Sequence, residues 1–112
     1  IWIATIGVHD ELPAPTRDLW ANLLGTTDNE NTYMGDQAAA VARIMSSALD
    51  YTIIRPNELF DENIMQAVSV QTGPDEQIIG GPITRTSVAE FITQIIQHPD
   101  TYVAESVAVS SR

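Results

Sequence analysis

A chain of 112 residues, 44% of them apolar, is long enough for one small folded domain with a modest core. Its 15 acidic residues against five arginines leave a net charge of −10, which argues against nucleic acid and anionic membranes as partners. No apolar run approaches the roughly 18 residues of a membrane-spanning helix. The absence of cysteine excludes disulfides and fits a cytoplasmic protein.

The first elements predicted are a strand and a short helix. Residues 1–6 are a continuous apolar run, which is typical of a strand buried on both faces of a parallel sheet. Because this strand begins at the first residue, we expect further chain upstream. A loop over residues 7–15 leads to a helix with Thr16 as its N-cap and Gly25 as its stop signal.

A second helix and a second strand are predicted next. After a polar loop over residues 26–32, apolar residues at helical spacing predict a helix over 36–48. The β-branched run at residues 51–54 predicts a buried strand. Arg55-Pro56 should end it, because proline cannot continue a central ladder.

The last third predicts a hairpin, a helix and a closing strand. After a loop over residues 57–63, short strands at 66–70 and 78–83 flank a turn at residues 73–75. A helix over 88–97 should begin with a capping box formed by Ser87 and Glu90. Residues 106–110 predict the third buried strand. Helices between buried strands predict an α/β fold with three parallel strands.

Several kinds of site find no support in the sequence. None of the six glycines forms the G-x-G-x-x-G turn that holds a dinucleotide's pyrophosphate, and no Walker loop is present. The two histidines, His9 and His98, show no metal-binding spacing, so we predict no metal site. Without lysine, the chain cannot form a Schiff base or lower the pKa of a tyrosine through a lysine.

Six residues remain as candidate site residues, with a structural alternative. Ligands of open α/β sheets bind beyond the carboxyl ends of the strands. Thr5 lies at the end of the first predicted strand, so its hydroxyl could donate to a carbonyl. The segment Arg55-Pro56-Asn57 follows the second predicted strand, so Arg55 could meet a ligand. Tyr33 could donate a proton, and Arg85 could bind a phosphate or the substrate. Alternatively, these side chains only pack or satisfy backbone groups.

Four segments together resemble one protein family. They resemble the NmrA-like NAD(P)-binding proteins, which are atypical short-chain dehydrogenases with NADH-flavin-reductase-like members. The segments occur in family order over nearly the whole chain: IWIATIGVHDE at residues 1–11, LDYTIIRP at 49–56, ITRTSVAEFI at 83–92 and YVAESVAV at 102–109.

The resemblance implies the fold and the cofactor. It places residues 1–112 on the C-terminal half of a Rossmann-type doubly wound parallel sheet, with the glycine-rich half expected before Ile1. The cofactor implied is NAD or NADP, together with a small-molecule substrate. Thr5 then falls where the family often has a serine near the nicotinamide, and residues 55–57 fall on the nicotinamide side of the pocket.

The resemblance also places Tyr33 near the family's active tyrosine. Fuller members carry a lysine four residues later, where this chain has neutral Gln37. Gln37 cannot supply that positive charge, so proton donation by Tyr33 is in doubt.

Three functional hypotheses follow. The first is an NAD(P)-dependent oxidoreductase whose acceptor, a flavin or a quinone, needs no tyrosine acid. The second is a redox sensor that holds NAD(P) without turnover. The third is a small α/β domain with an interaction role.

Overall fold

The computed structural model describes all of residues 1–112 as one four-stranded sheet, one two-stranded sheet and three helices. The helices are α1 (Ala14–Leu24), α2 (Tyr33–Met45) and α3 (Arg85–Gln97). The strands are β1 (Trp2–Ile3), β2 (Thr52–Pro56), β3 (Leu59–Phe60), β4 (Val68–Thr72), β5 (Ile83–Thr84) and β6 (Glu105–Ser111). None of the three helices combines the length and the apolar character that a bilayer crossing requires.

The larger sheet has the order β1-β2-β6-β4. Strands β1, β2 and β6 are mutually parallel, with Trp2 opposite Ile53 and Ile53 opposite Ser106. This confirms the predicted α/β class with three parallel strands. Strand β4 pairs antiparallel with β6 and forms the other edge of the sheet.

Helices cover both faces of this sheet. The side chains of consecutive strand residues point to opposite faces. In β2, Ile53 packs in a cluster with Met34 and Val41 of α2, whereas Ile54 packs with Phe91 and other residues of α3. Both isoleucines are completely buried, which explains why the β2 sequence is apolar without alternation.

The first strand differs from its prediction. It was expected over residues 1–6 with both faces buried, but β1 covers only Trp2–Ile3, and Ile1, Trp2 and Ile3 are 56%, 42% and 44% exposed. The reason is that β1 is an edge strand with only β2 as a neighbour. The apolar run therefore indicates a strand whose outer edge has no neighbouring strand in this chain.

All three helices begin earlier than predicted. Helix α1 begins after Pro13, which makes no side-chain cap, so the predicted Thr16 cap was wrong. Helix α2 begins after Thr32, whose hydroxyl accepts from the Gly35 N–H. Helix α3 is capped by Thr84, not by the predicted box of Ser87 and Glu90.

The predicted hairpin is also wrong. Strand β4 pairs with β6, and residues 78–79 lie in a loop. Strand β5 instead pairs in parallel with β3, which lies in the segment expected to be a loop. Arg55 and Pro56 are the last two residues of β2, so the strand ends at Pro56, as predicted. Its carbonyl still accepts a hydrogen bond, from the Ile6 N–H at 3.2 Å.

Candidate functional site

A cavity of about 410 Å³ lies at the carboxyl ends of β1 and β2. Its volume falls in the range of about 300–1,000 Å³ that small-molecule sites occupy. Parallel strands end at the same edge of a sheet, so residues that follow β1 and β2 meet there. We call it the first cavity; its lining residues are Ala4, Thr5, Trp20, Leu23, Leu24, Tyr33, Pro56, Asn57, Glu58, Leu59 and Arg85.

The structure therefore brings five of the six predicted site residues together in one place. Thr5, Tyr33, Pro56, Asn57 and Arg85 all line the first cavity, although they come from distant parts of the sequence. The sixth predicted residue, Arg55, does not line it.

Thr5 and Tyr33 contribute two hydroxyls to the cavity wall. Thr5 is half-buried just beyond β1, and its hydroxyl donates weakly to the neighbouring Ile6 carbonyl at 3.2 Å. Tyr33 is the first residue of α2, not part of the preceding loop as predicted, and it is 53% exposed. A hydroxyl group on an exposed ring remains available to a ligand.

Gln37 lies one helical turn after Tyr33, so both side chains lie on the same side of α2. The Oε1 atom of Gln37 is buried and has no hydrogen-bond partner. A buried acceptor without a donor is unfavourable by about 1–3 kcal/mol. Gln37 thus offers an unsatisfied acceptor beside Tyr33 but no positive charge.

Pro56 and Asn57 form the end of the central strand. The Asn57 amide donates to the Ser110 hydroxyl at 3.1 Å, and its oxygen accepts from the Glu58 N–H at 2.7 Å. The Asn57 N–H donates to the Val109 carbonyl at 2.9 Å. These bonds hold the cavity floor rigidly between β2 and β6.

Arg85 is the cationic residue of the first cavity. It is the first residue of α3, its side chain is 57% exposed, and it pairs with the Asp61 carboxylate at 2.8 Å. Both partners are well exposed, so this pair contributes little to stability, and a ligand anion could compete for Arg85.

Arg55 has the structural role that was the alternative for this residue. Its side chain is completely buried and forms an ion pair with Glu11, whose side chain is also fully buried. It donates further to the carbonyls of Gly73 at 3.0 Å and Ser106 at 3.1 Å. Burial lowers the pKa of Arg55 from its ordinary value, while the Glu11 charge opposes that shift. The side chain is therefore committed to the protein.

Sequence reasoning missed Trp20 and Glu11. Trp20 lies on α1 and lines the first cavity, yet a single aromatic residue in a predicted helix gives no functional signal. Glu11 lies in the loop predicted over residues 7–15, and its partner Arg55 is 44 positions away. No group of three or more His, Asp or Glu side chains lies close enough to hold a metal ion.

The residues present fit one end of a dinucleotide. The first cavity is large enough for a ring of nicotinamide size, with hydroxyl, amide and apolar groups on its walls. The pyrophosphate needs a glycine-rich turn at a helix N-terminus, and the chain has no such spacing. The chain could therefore hold the nicotinamide end and lacks the usual phosphate cradle.

A mostly parallel sheet with helices on both faces and a cavity at the strand ends is the arrangement of a Rossmann-like α/β protein. Residues 1–99 match the family model described as NAD(P)H-binding. The chain belongs to this NAD(P)H-binding family, which confirms the predicted family and its cofactor class, NAD or NADP.

The fold is shared with solved structures. A short-chain dehydrogenase/reductase from Veillonella parvula, crystallised with NADP, superposes with a TM-score of 0.82 at 19% identity, over 97% of this chain and 48% of that one. A Rossmann-fold NAD(P)-binding protein from Shigella flexneri gives a TM-score of 0.61 at 31% identity, over 77% of this chain and 42% of that one.

A curated relative is also matched. The UPF0659 protein YMR090W of Saccharomyces cerevisiae is 26% identical over 103 residues, covering 91% of this chain and 44% of that protein. The chain thus spans somewhat under half the length of the relatives it matches.

Proposed function

We propose that the full-length protein is an NAD(P)-dependent oxidoreductase that reduces a flavin or a quinone. In this proposal, residues 1–112 are the C-terminal half of its single Rossmann-like domain, and a glycine-rich half binds the pyrophosphate. The observation that carries the proposal is the first cavity, which gathers Thr5, Tyr33, Pro56, Asn57 and Arg85 at the strand ends. The absence of cysteine supports a cytoplasmic location.

Three of the lining residues have a role in holding the nicotinamide end. The hydroxyl of Thr5, bonded only weakly within the chain, would donate to the carboxamide oxygen. Pro56 would pack against the ring on a floor that Asn57 holds rigid. When bound, the reduced nicotinamide supplies a hydride to the acceptor.

The chain's own acid–base groups favour an acceptor that needs no protein acid. Reduction of a flavin or a quinone takes one hydride and one proton, and the proton can come from solvent. Tyr33 has neutral Gln37 one turn away in place of a cation. Its exposure leaves the site open to water as a proton source.

The proposal is tested by cofactor oxidation with the full-length protein. NADH or NADPH oxidation should proceed with the neutral quinone menadione. Thr5→Val should weaken NAD(P)H binding by roughly 3- to 10-fold, the equivalent of one hydrogen bond. Thr93→Val, an exposed position on α3, is the control and should leave binding unchanged. An unaltered dissociation constant in Thr5→Val would argue against the assignment of the first cavity.

Tyr33→Phe separates a solvent proton from a tyrosine proton. With menadione, the turnover of Tyr33→Phe should stay within about twofold of the parent protein. A general acid contributes about 10²- to 10⁴-fold, so a loss of that size would show that Tyr33 donates the proton.

The second candidate is a sensor that binds NAD(P) without turnover. It is favoured by the same missing cation beside Tyr33, since a sensor needs no acid. Binding of NAD(P)H without oxidation by flavins or quinones would select this function over the reductase.

A further inference from the structure

A second cavity of about 300 Å³ adjoins the first. The two share Trp20, Asn57 and Glu58, so they are neighbouring parts of one cleft. Much of the wall of the second cavity is apolar, formed by Ile6, Leu12, Pro13, Ile78 and Pro82. A molecule held there would lie next to whatever occupies the first cavity.

The second cavity has no positively charged residue in its wall. Its charged residue is Glu58, which is exposed and takes part in neither ion pair of the structure. Arg85, the cation of the adjoining first cavity, does not line the second cavity. An anion in the second cavity would therefore meet an uncompensated negative charge.

The start of α1 does little to offset this charge. Helix N-termini attract anions through free N–H groups, and Pro13 and Thr16 of this helix end line the second cavity. However, Pro13 and Pro15 have no N–H to donate. The first turn of α1 is thus poor in the donors that a phosphate requires.

We propose that the second cavity is the acceptor subsite and that Glu58 makes it selective for neutral planar acceptors over anionic ones. This inference rests on the proposed function, because it assumes that nicotinamide occupies the first cavity. It predicts that riboflavin is preferred to flavin mononucleotide, which has the same ring system and differs by a phosphate group.

Gly81 is a position at which a larger side chain can be introduced into the wall of the second cavity, because Gly81 lines this cavity and not the first. A Cβ atom at Gly81 would meet only the Ser111 hydroxyl, at 3.7 Å, and its φ angle is not in the left-handed region. Neighbouring Gly80 has a φ of 110° and would clash with the backbone, so it is unsuitable. Gly81 is part of the second cavity's wall, so a larger side chain there is expected to narrow that cavity without straining the fold.

The location is tested by calorimetric titration of the full-length protein and of Gly81→Leu. The substitution should weaken riboflavin binding at least tenfold and change NAD(P)H binding less than twofold. Gly81→Ala, with a smaller side chain, should show a weaker effect in the same direction. Unchanged riboflavin binding in Gly81→Leu, with normal NAD(P)H binding, would overturn the assignment of the subsite.

The selectivity is tested by comparing riboflavin with flavin mononucleotide in the parent protein, in Glu58→Gln and in Glu62→Gln. The parent should prefer riboflavin by about fivefold or more at low ionic strength, and Glu58→Gln should reduce that ratio towards one. High salt should also reduce the ratio, because salt screens exposed charges. Glu62→Gln, an exposed acid outside both cavities, should leave the ratio unchanged.

The outcomes separate this inference from the proposed function. Equal binding of both flavins, with NAD(P)H still bound and menadione still reduced, would overturn the inference alone. Binding of NAD(P)H without binding or reduction of any flavin or quinone would overturn the proposed reductase as well. Failure of the full-length protein to bind NAD(P)H would overturn the proposed function, and with it the inference that rests on it.

Discussion

At the scale of single residues, the buried ion pair between Arg55 and Glu11 is the main polar feature of the core. Glu11 Oε1 also accepts from the N–H groups of Gly7 at 2.9 Å and His9 at 3.1 Å. A buried charge is tolerated only when it is paired and hydrogen-bonded. The pair therefore anchors the loop after β1 to the central strand, next to the cavity floor.

Removal of one partner should be strongly destabilising. Glu11→Gln leaves Arg55 buried without a counter-charge, and breaking a buried pair in this way typically costs about 3–5 kcal/mol. Urea unfolding of the full-length protein should show a loss of this order, with Glu62→Gln, an exposed acid, as the control. A loss below about 1 kcal/mol would mean that water or a rearranged loop satisfies Arg55.

His9 should make stability depend on pH. Its ring accepts from or donates to the Ser106 hydroxyl at 2.9 Å, and burial lowers its pKa from the ordinary 6.5. The charge of Arg55 lowers this pKa further, while the facing carboxylates raise it; these belong to Glu11, Asp75 and Asp10.

The sign of the effect follows from proton binding. Because the folded pKa of His9 is lowered, the unfolded chain binds more protons, and stability should fall as pH drops below about 6.5. His9→Gln, which keeps a partner for Ser106, should flatten this part of the stability curve. Exposed His98→Gln is the control, and an equally flat curve for that variant would contradict the role of His9.

Only part of the residue-scale picture could be predicted. Position after a predicted strand was enough to nominate Thr5, Pro56 and Asn57, because strand ends share one edge. The role of Arg55 could not be chosen, since its partner Glu11 lies 44 positions away and a sequence does not show which distant charges meet.

At the scale of elements, the helix starts decide where the site residues lie. Thr84 caps α3: its hydroxyl accepts from the Ser87 N–H at 3.1 Å, contacts the Ser87 hydroxyl and donates to the Ile64 carbonyl at 2.9 Å. Ser87 itself is the third residue of the helix and accepts from the Gln66 N–H. The predicted Ser87–Glu90 box was thus displaced by an equally suitable cap three residues earlier.

The two capping assignments make different predictions. Thr84→Ala should destabilise the protein by about 1–2 kcal/mol, since it removes a cap and leaves buried groups unpaired. Glu90→Ala should stay within about 0.5 kcal/mol, because Glu90 is exposed and bonds only Gln94 one turn on. Thermal or urea unfolding of both variants decides between the assignments, and a larger loss in Glu90→Ala would favour the original prediction.

At the scale of the whole molecule, the open edge of the sheet is the dominant feature. Trp2 and Ile3 lie on the edge strand β1, which pairs with β2 on one side only, and their apolar side chains are largely exposed. The free N–H and C=O groups of an edge strand can pair with another strand. We expect the remainder of the full-length protein to cover β1 and continue the sheet.

The fluorescence of Trp2 tests whether β1 is covered in the full-length protein. In a Trp20→Phe background, the fluorescence of Trp2 should be blue-shifted and protected from iodide quenching in the full-length protein, relative to residues 1–112 alone. Equal quenching in both would contradict the cover on β1. A stable, monomeric 112-residue protein with an exposed Trp2 would then favour the small interaction domain.

The sequence alone determined the alternation of buried strands and helices, the cofactor family and the strand-end positions of Thr5, Pro56 and Asn57, because these depend on local patterns and local order. The tertiary structure alone decided that β4 pairs with β6, that Arg55 pairs with Glu11, and that Trp20 and Glu58 join two cavities. Those contacts link residues far apart in the chain, and their energy exists only once folding has brought the residues together.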